Sequence, residues 1–149
     1  LWALPTTLVG AVIGLLSLLS GGRARLIAGV WEVHGGVGAW LLRHATPLPG
    51  GAAAITFGHI VLGQDRATLD FTRTHERVHV RQTECWGPLF IPAYLIESIL
   101  AILRRQHFYR DNRFERQAYR IADATHRQFL RRLRRRRGRC GKAARRVEQ

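Results

Sequence analysis

The chain has 149 residues, 46% of them apolar, which fits one domain with a modest core. Its +14 net charge comes from 24 Lys+Arg against 10 Asp+Glu, and most of those cations follow Arg104, so the basicity is a property of the C-terminal third and not of the fold. Two cysteines, Cys85 and Cys140, exclude a disulfide framework and indicate reduced thiols in a reducing compartment.

Residues 1–20, LWALPTTLVGAVIGLLSLLS, carry no charge, and about 20 apolar residues are what a helix needs to cross a bilayer. No basic stretch precedes them, so they read as an anchor (residues 1–22) rather than a cleaved signal. Gly10 and Gly14 give a G-x-x-x-G face that lets another helix approach. The first cations, Arg23 and Arg25, follow this segment. They place the remainder on the cytoplasmic side of the inner (cell) membrane. A helix buried in a soluble core is the competing reading.

Residues 25–34 and 52–63 each read as one strand, and the two pair as an antiparallel ribbon. The glycine- and proline-bearing stretch between them is a connection that includes a short helical turn. A helix begins near Asp70, with Asp70, Thr72 or Thr74 as N-cap, and stops near Gly87-Pro88. Phe71, Val78 and Cys85, seven apart, lie on one face of it. An apolar run, LFIPAYLIESILAIL, leads to Arg104-Arg105. After the break at Arg110-Asp111-Asn112 a last helix runs from Arg113 to about Arg135. The basic tail, residues 138–149, reads as disordered.

The chemistry sits in THERVHVRQ, residues 74–82. On a helix, His75 and His79 are one turn apart and can direct two imidazoles at one ion. Glu76 points beside them, where a carboxylate can take a proton from a water at the metal without ligating it. The bland alternative is two solvated histidines with Glu76 and Arg77 as surface charges. A catalytic zinc needs three protein ligands. Glu115, on the last helix, is the preferred third, with Ala118 and Ala122 small enough for a close crossing. The competing reading of Glu115 is the N3 residue of a capping box with Asn112. Glu84 and His59 are rival ligands. Tyr119, one turn from Glu115, would face the same site and could steady an oxyanion.

THERVHVRQ together with YRDNRFERQAY resembles gluzincin-type zinc metallopeptidases, in particular small membrane-associated bacterial proteins with H-E-x-x-H-x-x-Q followed by N-P-F-E-x-x-A. The resemblance covers about residues 70–122. It implies a zincin-like site with Zn2+ held by His75, His79 and Glu115 and Glu76 as the base; the elements along the chain make residues 23–137 one mainly α, metal-binding domain with a two-stranded ribbon. Arg113 departs from the pattern, because proline stands there in such proteins, and proline at N1 favours a helix start.

If the apolar run after Gly87 crossed the bilayer, His75 and Glu115 would lie on opposite sides, and Glu97 would add a cost of about a few kcal/mol. The run is therefore expected to dip into the interface, with Trp86 and Tyr94 at interfacial depth, and to return. Arg131, Arg132 and Arg134–Arg137 suit anionic headgroups. A nucleic acid is a weaker partner, because no recognition motif accompanies the tract. The expected activity is zinc-dependent hydrolysis of a peptide bond in a membrane-proximal peptide or protein. The alternative is a non-catalytic membrane-bound protein with a structural or vestigial zinc site and a lipid-binding tail.

Overall fold

The computed structural model describes residues 2–147, with side chains described for residues 2–131. The chain is mainly helical around a small four-stranded sheet. Each of the two expected strands is in fact a hairpin. Arg23–Ile27 (β1) turns through Ala28-Gly29 into Val30–His34 (β2). Ala54–Phe57 (β3) turns at Gly58-His59 into Ile60–Gly63 (β4). Ala28 and Gly29 both take positive φ, 46° and 78°, which matches the twist a two-residue hairpin requires. The strand order is β1-β2-β4-β3, with the central pair β2 and β4 parallel and Trp31 opposite Ile60. A two-stranded antiparallel ribbon is thus corrected to two hairpins joined side by side.

Strand alternation sends side chains to two layers. Val30, Glu32, Thr56 and Val61 face the helix Arg66–Trp86 (α3), where Val30 and Val61 pack with Leu69 and Val80. Val33, Ile60 and Leu62 face the opposite side, where they meet Leu42 of the helix Gly36–His44 (α2) and Ile13 of the helix Leu4–Leu19 (α1). The G-x-x-x-G face of α1 therefore docks on the sheet rather than on another helix. A Cβ at Gly10 would come within 2.7 Å of Phe57 Cβ and 2.8 Å of Ile60 Cβ. At its C-terminal end, Ser17 and Ser20 accept from the amides of Gly38 and Val37 at 3.0 and 2.7 Å. Those amides open α2 and would otherwise lack partners.

α3 starts four residues earlier than Asp70, capped by Asp65, whose Oδ1 accepts from Thr68 N at 2.8 Å. Asp70 instead joins an ion-pair cluster in which Arg25 and Arg73 clamp the buried Glu32. The inward face of α3 carries Leu69, Glu76, Val80 and Thr83. Of the three residues spaced by seven, Val78 is buried, whereas Phe71 is 91% exposed and Cys85 is exposed. α3 ends at the short 3-10 turn Gly87–Leu89 (η1). The apolar helix Phe90–Leu103 (α4) follows, and the chain then returns through residues 104–112 to α5, Arg113–Val147. α5 packs against α3 with Ala118 fully buried. It continues past the end expected near Arg135, through most of the stretch expected to be unstructured. The lipid contacts expected of Arg132 and Arg134–Arg137 lie outside the described side chains.

Candidate metal centre

Asn112 brings α4 and α5 together. Its fully buried side chain donates to Tyr94 O (2.9 Å) and Ser98 Oγ (2.8 Å) and accepts from Phe114 N (2.9 Å). This caps α5 and fixes its first turn against α4. The same turn carries Glu115. Its carboxylate does not reach back to complete a capping box but points across to α3.

There it meets both histidines. Glu115 Oε2 lies 3.1 Å from His75 Nε2, and Oε1 lies 3.2 Å from His79 Nε2. The two Nε2 atoms are 3.1 Å apart. Ligands tetrahedral about an ion at roughly 2.0 Å are separated by about 3.3 Å, so the two imidazoles are spaced as an edge of such a site, with one Glu115 oxygen facing each of them. Among the described residues, these are the three brought together as metal-ligand donors. Glu115 Oε2 and His75 Nδ1 are buried without a hydrogen-bond partner; the polar atom facing Oε2 is His75 Nε2 at 3.1 Å, so this buried oxygen is compensated by a proton on that nitrogen or by a cation between them. The donor set, two imidazoles and a carboxylate, suits zinc.

Gln82 fixes the tautomer of His79. Its amide nitrogen donates to Phe114 O (3.1 Å) and Gln117 Oε1 (2.8 Å). A backbone carbonyl only accepts, so the oxygen of Gln82 is left facing His79 Nδ1 at 2.8 Å. Nδ1 must therefore carry a hydrogen, so Nε2, turned toward Glu115, is the nitrogen free to ligate when the ring is neutral. This is the outer-shell support that metal-binding imidazoles need. Burial opposes protonation of His79, but Glu115 beside it prevails and holds its pKa above the usual histidine value. Burial likewise opposes ionisation of Glu115, yet the contacts from His75 and His79 bring its pKa down to about 2.

Glu76 is buried and accepts from Thr56 Oγ1 at 2.7 Å. Its charge is close enough to raise the pKa values of both His79 and Tyr94. Tyr119 is half-exposed at the rim, its ring centroid 4.5 Å from that of His75 and its hydroxyl 3.2 Å from Tyr109 Oη. The rivals His59 and Glu84 are not in the cluster and pair with each other at 3.0 Å.

Three residues at the site escaped the sequence reading. Tyr94, expected at a membrane interface, faces inward and donates from its hydroxyl to Glu115 Oε1 at 2.8 Å. Burial, reinforced by Glu115, raises its pKa and keeps it a donor. Tyr109 stands behind Tyr119, and Thr56 comes from the edge strand β3. Helical spacing from Phe90 could have signalled Tyr94; nothing in the sequence places Tyr109 or Thr56. No family model, no curated protein and no solved structure matches this chain.

Proposed function

We propose that the chain is a zinc-dependent hydrolase of the gluzincin type, zincin-like in its α3–α5 core, that cleaves a peptide bond. The observation that carries this reading is the convergence of two Nε2 atoms and a carboxylate at 3.1 to 3.2 Å, with a second, separate carboxylate held beside them. His75, His79 and Glu115 would hold the metal. Zinc bound there supplies Lewis acidity for a substrate carbonyl and lowers the pKa of a water. Glu76, held by Thr56 and kept out of the ligand set, accepts the proton of the attacking water and passes it to the leaving amine. Tyr119 donates a hydrogen bond to the developing oxyanion from the exposed rim.

A closed structural site would need a fourth protein ligand. The rival His59 is engaged by Glu84 instead, which favours the catalytic reading over the structural one. The test compares wild type with Glu76→Gln on a mixed peptide substrate after zinc loading. The expected result is full metal content in both and loss of hydrolysis by about 10²–10⁴-fold in the variant. Equal hydrolysis by the two proteins would contradict the assignment of Glu76.

A further inference from the structure

Helices α1 and α4 are built inside out. The face of α1 that meets the sheet carries Thr6, Gly10, Gly14 and Ser17, all buried. Its outward face carries Leu4, Leu8, Val12, Leu15 and Leu19, each at least half exposed. The inward side of α4 holds Tyr94, Ser98 and Ala101, and its outward stripe is Leu95, Ile96, Ile99, Ile102 and Leu103. Helices of a water-soluble surface show the opposite polarity, and a contiguous apolar surface of this kind marks a lipid or protein contact.

Both helices share one layout along the chain. An exposed tryptophan precedes each, Trp2 before α1 and Trp86 before α4. Exposed arginines follow each, Arg23 after α1 and Arg104-Arg105 after α4. The tryptophans lie at the same place: a Cβ on Gly87 would strike the indole of Trp2, so the start of α1 abuts η1, where α4 begins. Tryptophan at headgroup depth and arginine reaching anionic phosphates are what a bilayer interface selects. The net charge of +14 has the sign that such headgroups attract.

We propose that the outward faces of α1 and α4 together form a platform that lies in one leaflet of an anionic bilayer, with neither helix spanning it. α1 has 16 residues, about 24 Å of helix against a hydrocarbon core of about 30 Å. It also carries the sheet along its middle at Gly10 and Gly14. A spanning α1 would draw the open edges β1 and β3 into hydrocarbon, where unpaired backbone is not tolerated. A spanning α4 would separate α3 from the α5 turn it packs against. Adjacent residues of α4 then face different worlds: Tyr94 touches Glu115, while Leu95 touches lipid. The candidate metal centre sits about one helix diameter from the membrane. The substrate class this favours is a peptide segment presented at the bilayer surface. That last step rests on the hydrolase reading; the platform itself does not.

The test needs neither zinc nor activity. Full-length protein is floated on a density gradient with vesicles of phosphatidylcholine, alone or mixed with phosphatidylglycerol. Wild type should rise with the mixed vesicles and stay bound after a high-salt wash. Val12→Glu and Ile99→Glu, both at exposed sites, should keep the wild-type circular dichroism and lose binding by about tenfold or more. Wild type left at the bottom of the gradient, or charged variants floating like wild type, would overturn the proposal. So would a lipid-free dimer that Val12→Glu splits, since a second copy would then be the occupant. Depth is read with Val12→Trp, the four native tryptophans replaced by phenylalanine, and brominated lipids. Strongest quenching by shallow bromines is expected; strongest quenching by bromines at the bilayer centre would mean a spanning α1 and would also overturn it.

Discussion

Replacing Gln82 by leucine separates the support of the metal centre from the centre itself. The substitution removes three hydrogen bonds at once: the acceptor for His79 Nδ1 and the donors to Phe114 O and Gln117 Oε1. Gln82 is buried, so water does not replace them. The orphaned His79 N–H costs about 1–3 kcal/mol when left unpaired, whereas Phe114 O keeps its bond within α5. Losing the partner of a ligating histidine lowers metal affinity by about 10–100-fold, or about 1.4–2.7 kcal/mol. Gln82→Leu should therefore bind zinc 10–100-fold more weakly and unfold earlier. Gln82→Glu keeps an oxygen facing His79 but loses the donor to Phe114 O. It should keep wild-type zinc affinity within a few-fold and lose stability alone. Competition with a chromophoric zinc chelator gives the affinities, and thermal melts of the metal-free proteins give the stabilities. Unchanged zinc affinity in Gln82→Leu would refute the tautomer argument.

Thr56→Val removes the hydroxyl that holds Glu76 at nearly constant volume; a hydrogen bond to a charged group is worth about 1.5–3 kcal/mol, so turnover should fall about 10–100-fold with metal content unchanged. Asn112→Ala removes the cap acceptor of Phe114 N, the donor to Ser98 Oγ and the second donor to Tyr94 O and should cost about 2–4 kcal/mol, measured by denaturant unfolding. Gly10→Leu should destabilise the metal-free domain by about 1–3 kcal/mol through overpacking against Phe57 and Ile60; no shift in its unfolding midpoint would mean that α1 does not dock there. For Glu32, burial raises the pKa, but Arg73 and Arg25 prevail and hold it below the usual glutamate value. Its contribution is thus present above the unfolded pKa, near 4.5, and is lost as pH falls through the lower folded value. Glu32→Gln should flatten that part of the stability–pH curve, and an unaltered acid limb would count against the clamp.

The parts of the structure legible in the sequence are those fixed by local spacing. His75 and His79 fall on one face by helical geometry alone, and Asn112 announces the start of α5. The place of Glu115 depends on how the chain returns after α4, which no local spacing encodes; the Asn112-capped turn delivers it to the histidines. The hairpins were hidden because β-branched residues run on both sides of each two-residue turn; only the positive φ at Ala28-Gly29 and Gly58 separates the strands. The start of α3 is masked in the sequence because Asp70 has the composition of a cap, yet two arginines take it into the cluster around Glu32. Cross-element contacts such as Thr56 to Glu76, or Tyr94 to Glu115, leave no local trace, since each joins residues about 20 apart.

The account depends on one ion being shared by α3 and α5. The direct measurement is zinc stoichiometry by elemental analysis of wild type, His79→Ala and Glu115→Ala after loading and dialysis, with folding of each checked by circular dichroism. About one zinc per wild-type chain and well below that in both folded variants is the predicted result. Negligible zinc in wild type, or full zinc in Glu115→Ala, would contradict it.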